Sequence, residues 1–307
     1  MTWKKYVCTL LVVPLLSGTA AACTLFAATG SDWVEGGGTL IVKNRDWRPD
    51  WQEMRLVDND TYRYYGIFAG DVEKSVLRAG INEKGLVVMS ATAGSIPTRD
   101  RRQMPQAKLS ALRTMLGKCA TVDEALSHSE LFLGPKFLLL ADVHKIAYLE
   151  IAPEGKYRIR EVTNGPLAHT NHYLEPKLQW ANYKSGTSSL TRYNRITELL
   201  DSGKQPYTLD DFVTYSQDQH DGPDNSIWRT GSNPKGGQTV ATLAVRLQEN
   251  QLPQLYLKIR TAPDKQGQEE IRMLSGEDMF PPKTPPPQPT LWESLWQTLK
   301  TWWKSLW

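Results

Sequence analysis

Cys23 is the residue best placed to do chemistry, because of what precedes it. It stands in "AAACTLFAATG", directly after Ala20 and Ala22, which form the A-x-A pattern of a leader cleavage site. Upstream lie a basic start, "MTWKK", and an apolar run, "YVCTLLVVPLL". That run is shorter than the roughly 20 residues a bilayer span needs. The expectation is a secretory signal peptide over residues 1–22, with export to the bacterial periplasm or beyond. Its removal makes Cys23 the first residue. An N-terminal cysteine carries a thiol nucleophile and its own base, since an α-amine titrates near about 7.7–8.0 and can take a proton at neutral pH. It then needs donors for a tetrahedral oxyanion, an orienting carboxylate and a pocket.

The residues alone leave other readings of Cys23 open. A cysteine just after a leader is also what lipidation requires, which would make the chain a lipoprotein with a binding or structural role. The window Ala20-Ala21-Ala22-Cys23 lacks the leucine usual at the third position before that cysteine. Lipidation would consume both thiol and amine, so the two readings exclude each other. Cys8 falls in the leader, leaving Cys23 and Cys119 free to form one disulfide in an oxidising compartment. Cys119, in "LRTMLGKCATVDEAL", also reads as a small buried residue at a helix junction.

A reactive thiol needs elements to hold it. "CTLFAATG" reads as a short strand, and "GGGTLIVKNRDW" as a glycine turn leading into an apolar strand with a polar end. "SVLRAGINEKGLVVMSATAG" reads as a hairpin turning at "NEKG". Residues 106–133 read as helix in two pieces, broken at Gly117, the second capped by Thr121 with Glu124 in a T-x-x-E box. "FLLLADVHKIAYLEIAPEGKYRIREV" predicts strands with a turn at "APEGK". "SSLTRYNRITELLDSG" predicts a helix with the stripe Leu190, Tyr193, Ile196, Leu199 and Leu200, stopped at Gly203. "TLDDFVTYSQD" predicts a second helix capped by Thr208. "TVATLAVRLQEN" and "QLPQLYLKIRT" predict closing strands. Strands, helices, strands, helices, strands is the order of an α+β layered domain rather than an alternating βαβ one.

The C-terminus changes character. "PPKTPPPQP" is a stiff, extended spacer, giving a linker over 281–290 after a domain spanning 23–280. "LWESLWQTLKTWWKSLW" over 291–307 spaces Trp292, Leu295, Trp296, Leu299, Trp302, Trp303 and Leu306 at i, i+3, i+4, i+7. This amphipathic helix holds five of the 11 tryptophans. Tryptophan favours the membrane–water interface, so the preferred expectation is a helix lying on a bilayer surface, the alternatives being that it packs back on its own domain or binds a partner.

With 40% hydrophobic and 22% charged residues, the composition is that of a globular protein. The net charge is +3, and loss of Lys4 and Lys5 with the leader takes it to +1. The one basic cluster, "RDRR" at 99–102, reads as a solvated loop, so no nucleic-acid footprint is expected. His169 and His172 are spaced like a metal pair, but no third ligand is evident, and neither metal nor cofactor is expected. "GSNPKGGQT" lacks the G-K-[ST] of a phosphate loop and precedes a strand.

Five motifs in order, "CTLFAATG", "VKNRDW", "GINEKGL", "HTNHY" and "SSLTRYNRITELL", resemble the N-terminal-nucleophile hydrolases of the choloylglycine hydrolase and penicillin V acylase group. They are also similar to the acyl-coenzyme A:6-aminopenicillanic acid acyltransferase group, over roughly Cys23 to Arg260. The resemblance implies a four-layer αββα sandwich and cleavage or transfer at linear amide bonds through a cysteine thioester. It implies a small acyl amide as partner and leaves the oligomeric state open. It makes Cys23 the nucleophile, Asp46 the holder of the amine or thiol, Asn171 an oxyanion donor and Arg192 a guide for the thiol. Composition alone selects none of the last three. Two positions depart from the family pattern. Lys43-Asn44-Arg45-Asp46 replaces R-N-x-D, which puts the roles of Lys43 and Arg45 in question. Thr92 stands where an asparagine often lies, as a candidate oxyanion or substrate residue.

Overall fold

The computed structural model describes residues 22–260 and 269–283, together with Trp296 and Lys300. Residues 1–21 of the leader expected over 1–22, and all of 284–307 but those two residues, lie outside the described residues, and with them most of the expected linker and amphipathic helix. Trp296 and Lys300 are both helical.

The chain alternates apolar residues so that each central strand buries both faces. The first strand, β1 (Ala22–Thr29), sends Cys23, Leu25 and Ala27 to one side and Phe26 and Ala28 to the other. It pairs antiparallel with β2 (Thr39–Trp47) across a turn in which Gly36, Gly37 and Gly38 all hold positive φ. A Cβ on Gly38 would collide with the Leu247 carbonyl, so the turn requires glycine there. Five more strands follow: β3 (Trp51–Val57), β4 (Tyr64–Gly70), β5 (Val76–Asn82), β6 (Val87–Thr92) and, after three helices, β7 (Lys136–Ala141). Then come β8 (Ile146–Ile151), β9 (Tyr157–Val162), β10 (Gly165–His169), β11 (Gln238–Leu247), β12 (Gln254–Ile259) and β13 (Glu270–Ser275).

They form two antiparallel sheets, ordered β10-β1-β2-β11-β12-β13 and β3-β4-β5-β6-β7-β8-β9. The sheets meet face to face through Leu25, Ile41 and Leu243 on one side and Ile81, Met89 and Leu139 on the other. Outside the seven-stranded sheet lie α2 (Ala111–Lys118) and α3 (Val122–Ser127), packed through Leu112, Met115 and Val122. Outside the six-stranded sheet lie α4 (Thr187–Ser202) and α5 (Leu209–Ser216), packed through Ile196, Leu200 and Phe212. This is the four-layer αββα sandwich that the resemblance implies.

Several expectations need correction. "RDRR" belongs to a short helix, α1 (Thr98–Gln103), and is not a solvated loop; Arg101 donates from Nη1 to the carbonyls of Ala93 and Ile96. Residues 106–110 are not helical, and Gly117 lies inside α2, where its bare Cα admits the Asp60 carboxylate. Thr121 does accept from Glu124 N, but the Glu124 carboxylate accepts from Ala120 N, one residue earlier than a reciprocal box requires. Thr208 caps α5 in a full box with Asp211. On α4 the buried stripe is Ser189, Arg192, Ile196 and Leu200, while Leu190 is exposed. The stripe is rotated because two of its inward positions are polar.

Cys23 and Cys119 are both free thiols. Cys23 faces the core between the sheets and Cys119 the layer of α2 and α3, so the seven-stranded sheet separates them.

Candidate active site

The alternation of β1 and β2 sorts the candidate residues onto two faces. Lys43 and Arg45 share the inter-sheet face with Cys23, which lies opposite Arg45 in the ladder. Asn44 and Asp46 point to the helical side. There Asn44 Nδ2 donates to the carbonyls of Ser216 (2.7 Å) and Ile227 (2.9 Å), which ties β2 to the end of α5.

The backbone nitrogen of Cys23 donates to Asn171 Oδ1 at 2.8 Å. With Ala22 attached this is a peptide N–H; cleavage after Ala22 would make the same atom an α-amine. Arg192, wholly buried on α4, donates from Nη1 to Cys23 O (2.6 Å) and Thr24 Oγ1 (2.8 Å), and from Nη2 to Asn171 Oδ1 (3.0 Å). Burial pulls the Arg192 guanidinium below its ordinary range, against the attraction of Asp46. The guanidinium grips the backbone of Cys23, not its sulfur.

Asp46 is buried and accepts from Thr239 Oγ1 at 2.8 Å through Oδ1. Its Oδ2 has no hydrogen-bond partner among the described residues and faces Arg192 Nη1 at 3.8 Å and Arg229 Nη1 at 4.0 Å. Ala22 lies directly opposite Asp46 in the ladder. A cut after Ala22 would therefore open the residue position that faces this carboxylate.

Asn171 Nδ2 donates to the Thr92 carbonyl at 2.9 Å, at the end of β6. Thr92 thus enters the site through its backbone oxygen. One of the two Asn171 N–H groups is engaged there, which leaves the second for an oxyanion. The Asn171 backbone N–H donates to Ser189 Oγ (2.9 Å), and His172 Nδ1 lies 2.9 Å from the same hydroxyl. His169 does not pair with His172; its Nε2 lies 2.8 Å from Glu150 Oε1 in a buried contact. Among the described residues, no three His, Cys, Asp or Glu side chains gather as a metal site would require.

Cys23 opens onto a cavity of about 700 Å³ at the end of the sandwich. Lys43 Nζ lies 3.8 Å from Cys23 Sγ and donates to the Ser90 carbonyl. Arg45 is neutralised by Asp50 (2.8 Å) and bonded to Gln52 (3.0 Å). Arg78, Arg102, Lys108 and Lys136 also line the cavity, and Asp46 is the one acid in its lining among the described residues. Burial lowers the pKa of Lys43, Arg78 and Lys136.

The chain matches the acyl-coenzyme A:6-aminopenicillanic acid acyl-transferase family over residues 33–257. It belongs to that family. It is therefore one of the N-terminal-nucleophile enzymes, hydrolases and acyltransferases that act on amides. Among solved structures, a mutant conjugated bile acid hydrolase from Clostridium perfringens is 13% identical, with 82% of this chain and 96% of that one covered and a TM-score of 0.49. A Caenorhabditis elegans ortholog of N-acylethanolamine-hydrolyzing acid amidase is 15% identical, with 73% and 92% covered and a TM-score of 0.51. The second likeness bears on the fold alone. No curated protein sequence matches.

For a member of this acyl-transferase family, several site residues escaped the sequence reading. Ser189 was hidden as one serine among several at a helix start. Arg229 and Thr239, which flank Asp46, carry no motif at all. Arg78 had a visible signal, a lone charge inside the apolar "SVLRAGIN". It occupies a β-bulge: Ala79 pairs with Ile67 and Leu77 with Phe68, which leaves Arg78 as the extra residue. A bulge re-aims a side chain, and this one turns an arginine into the cavity.

Proposed function

We propose that the protein is an exported amide hydrolase or acyltransferase, activated by cleavage between Ala22 and Cys23. The freed α-amine keeps its place on Asn171 Oδ1, with Asp46 and Arg192 fixing that end of β1. The Cys23 thiol attacks the carbonyl of a linear amide, and the acyl group passes to sulfur as a thioester while the amine departs. Water or a second amine then takes the acyl group. The free N–H of Asn171 serves as a side-chain donor for the oxyanion. The basic lining of the cavity favours an acyl amide that carries an acidic group.

One observation carries this reading: the Cys23 nitrogen, Asn171 and Arg192 form one closed hydrogen-bond set, with the thiol turned away from it into the cavity. A lipid anchor at Cys23 is disfavoured by the same observation, since acylation of the amine would have to displace its buried partner Asn171. The deciding experiment uses acid-quenched mass spectrometry with a panel of acyl amides. The expected results are an unmodified Cys23 at the mature N-terminus, an acyl adduct on that residue, and loss of turnover in Cys23→Ala. Turnover at the wild-type rate in that variant, or a diacylglyceryl mass on Cys23, would end the proposal.

A further inference from the structure

Lys43 is the side chain that separates this site from the pattern it resembles. Its place at the start of "KNRD" is one where an arginine is usual, and an arginine stays protonated in any protein environment. A lysine can lose its proton when buried. Lys43 is 1% exposed, and its Nζ is 3.8 Å from Cys23 Sγ. The contact follows from β-sheet geometry. Lys43 and Cys23 sit on adjacent strands, on the same face, two residues apart along the ladder: Cys23 pairs with Arg45 and Lys43 with Leu25.

The surroundings of Lys43 are unusual for an ammonium ion. β1 presents Cys23, β2 presents Arg45, and β5 presents Arg78. β6 offers the Ser90 carbonyl, and β11 places Leu243 opposite Lys43 in the ladder. No carboxylate faces the ε-amine among the described residues; Asp50 is held by Arg45, and Asp46 projects from the opposite face of β2. Two neighbouring guanidinium groups and burial all disfavour the charged form. Burial is the largest cause of its lowered pKa, with Arg45 and Arg78 adding to it and Cys23 opposing.

We propose that the ε-amine of Lys43 is a base for the Cys23 thiol, a second proton acceptor beside the chain's own amine. This rests on Cys23 being the nucleophile. The S–H proton passes from Sγ to Nζ as the sulfur electron pair attacks the acyl carbon. A C–S bond forms and the carbonyl π pair moves to oxygen. On collapse the C–N bond breaks, and the Lys43 ammonium gives its proton to the departing nitrogen. The products are a thioester, a free amine and a neutral Lys43. The Ser90 carbonyl holds the amine in place through one of its N–H groups while the lone pair stays free for the thiol.

The test uses the chain beginning at Cys23 and p-nitrophenyl decanoate, whose phenolate leaves without needing a proton. The burst of p-nitrophenolate then reports thiol activation alone. Lys43→Arg keeps the positive charge and removes the base; Lys43→Ala removes both. Both variants are expected to slow the burst by about 10²–10⁴-fold, the range of a lost general base. Added n-propylamine is expected to restore the Lys43→Ala burst in proportion to its unprotonated form. A Lys43→Arg burst within about threefold of wild type would show that charge alone is needed, and would overturn the assignment. So would a Lys43→Ala variant that propylamine does not accelerate. If the ester burst depends on Cys23 and Lys43 but no amide is ever cleaved, the amidase reading falls and the role of Lys43 stands.

Discussion

The Ser189 hydroxyl holds Asn171 in place, and its own state depends on His172. Ser189 Oγ accepts from Asn171 N, so its proton is free to go to His172 Nδ1, which must be unprotonated to accept it. Burial is the main reason the His172 pKa falls to about 4; His169 and Arg192 add repulsion, while Glu150 opposes them. In the unfolded chain the imidazole titrates near about 6.5. Between these values the unfolded state binds more protons, so stability falls as pH drops from about 6.5 to about 4. At about 1.36 kcal/mol per unit, the loss reaches at most about 3 kcal/mol. Urea unfolding across this range should show that slope, and His172→Gln should flatten it. An unchanged slope in the variant would show that another group is responsible.

At the scale of elements, the β5–β6 hairpin does more than reverse the chain. Asn82, wholly buried, accepts from Lys84 N (3.0 Å) and Leu86 N (2.9 Å), which shapes the turn. It also donates to the carbonyls of Leu116 (2.9 Å) and Cys119 (2.7 Å), which ends α2 against the sheet. Asn82→Ala leaves four backbone groups without partners. At about 1–3 kcal/mol for each buried unsatisfied group, and with water reaching the turn side, the expected loss is about 3–5 kcal/mol. Chemical denaturation measures it, and a loss under about 1 kcal/mol would contradict this account. The "INEKGL" motif was legible as a turn from sequence. Its second duty, as a helix terminator, was not, because Leu116 and Cys119 are remote in the chain and come close only when the helix packs.

At the scale of the molecule, the two sheets put the Cys23 thiol at the end of the sandwich, where their shared core opens into the cavity. Residues 284–307 lie apart from this machinery in sequence, and their tryptophans suit an interface with lipid. A chain ending at Lys283 is expected to cleave a short-chain acyl amide within about twofold of the full chain. It is expected to lose both co-flotation with phospholipid vesicles and its advantage on long-chain amides presented in them. Equal flotation by the two chains would remove the membrane reading of the C-terminal segment.

The sequence by itself determined what period-2 and helical patterns can encode: most of the strands, the two helices over 187–202 and 209–216, the N-cap at Thr208 and the α+β layering. It also marked Cys23 through the cleavage pattern before it, and the motifs it shares with a family of enzymes brought Asp46, Asn171 and Arg192 into view. It misplaced the buried stripe of α4, since hydrophobicity scores Arg192 and Ser189 as surface residues. Their inward position is affordable only because Cys23 O, Thr24, Asn171, Thr170 and His172 supply partners from other elements. Tertiary structure alone decided that Lys43 and Arg45 face the sulfur while Asp46 faces Arg192. That sorting depends on which side of β2 meets the second sheet, and no local pattern fixes it when both faces are buried.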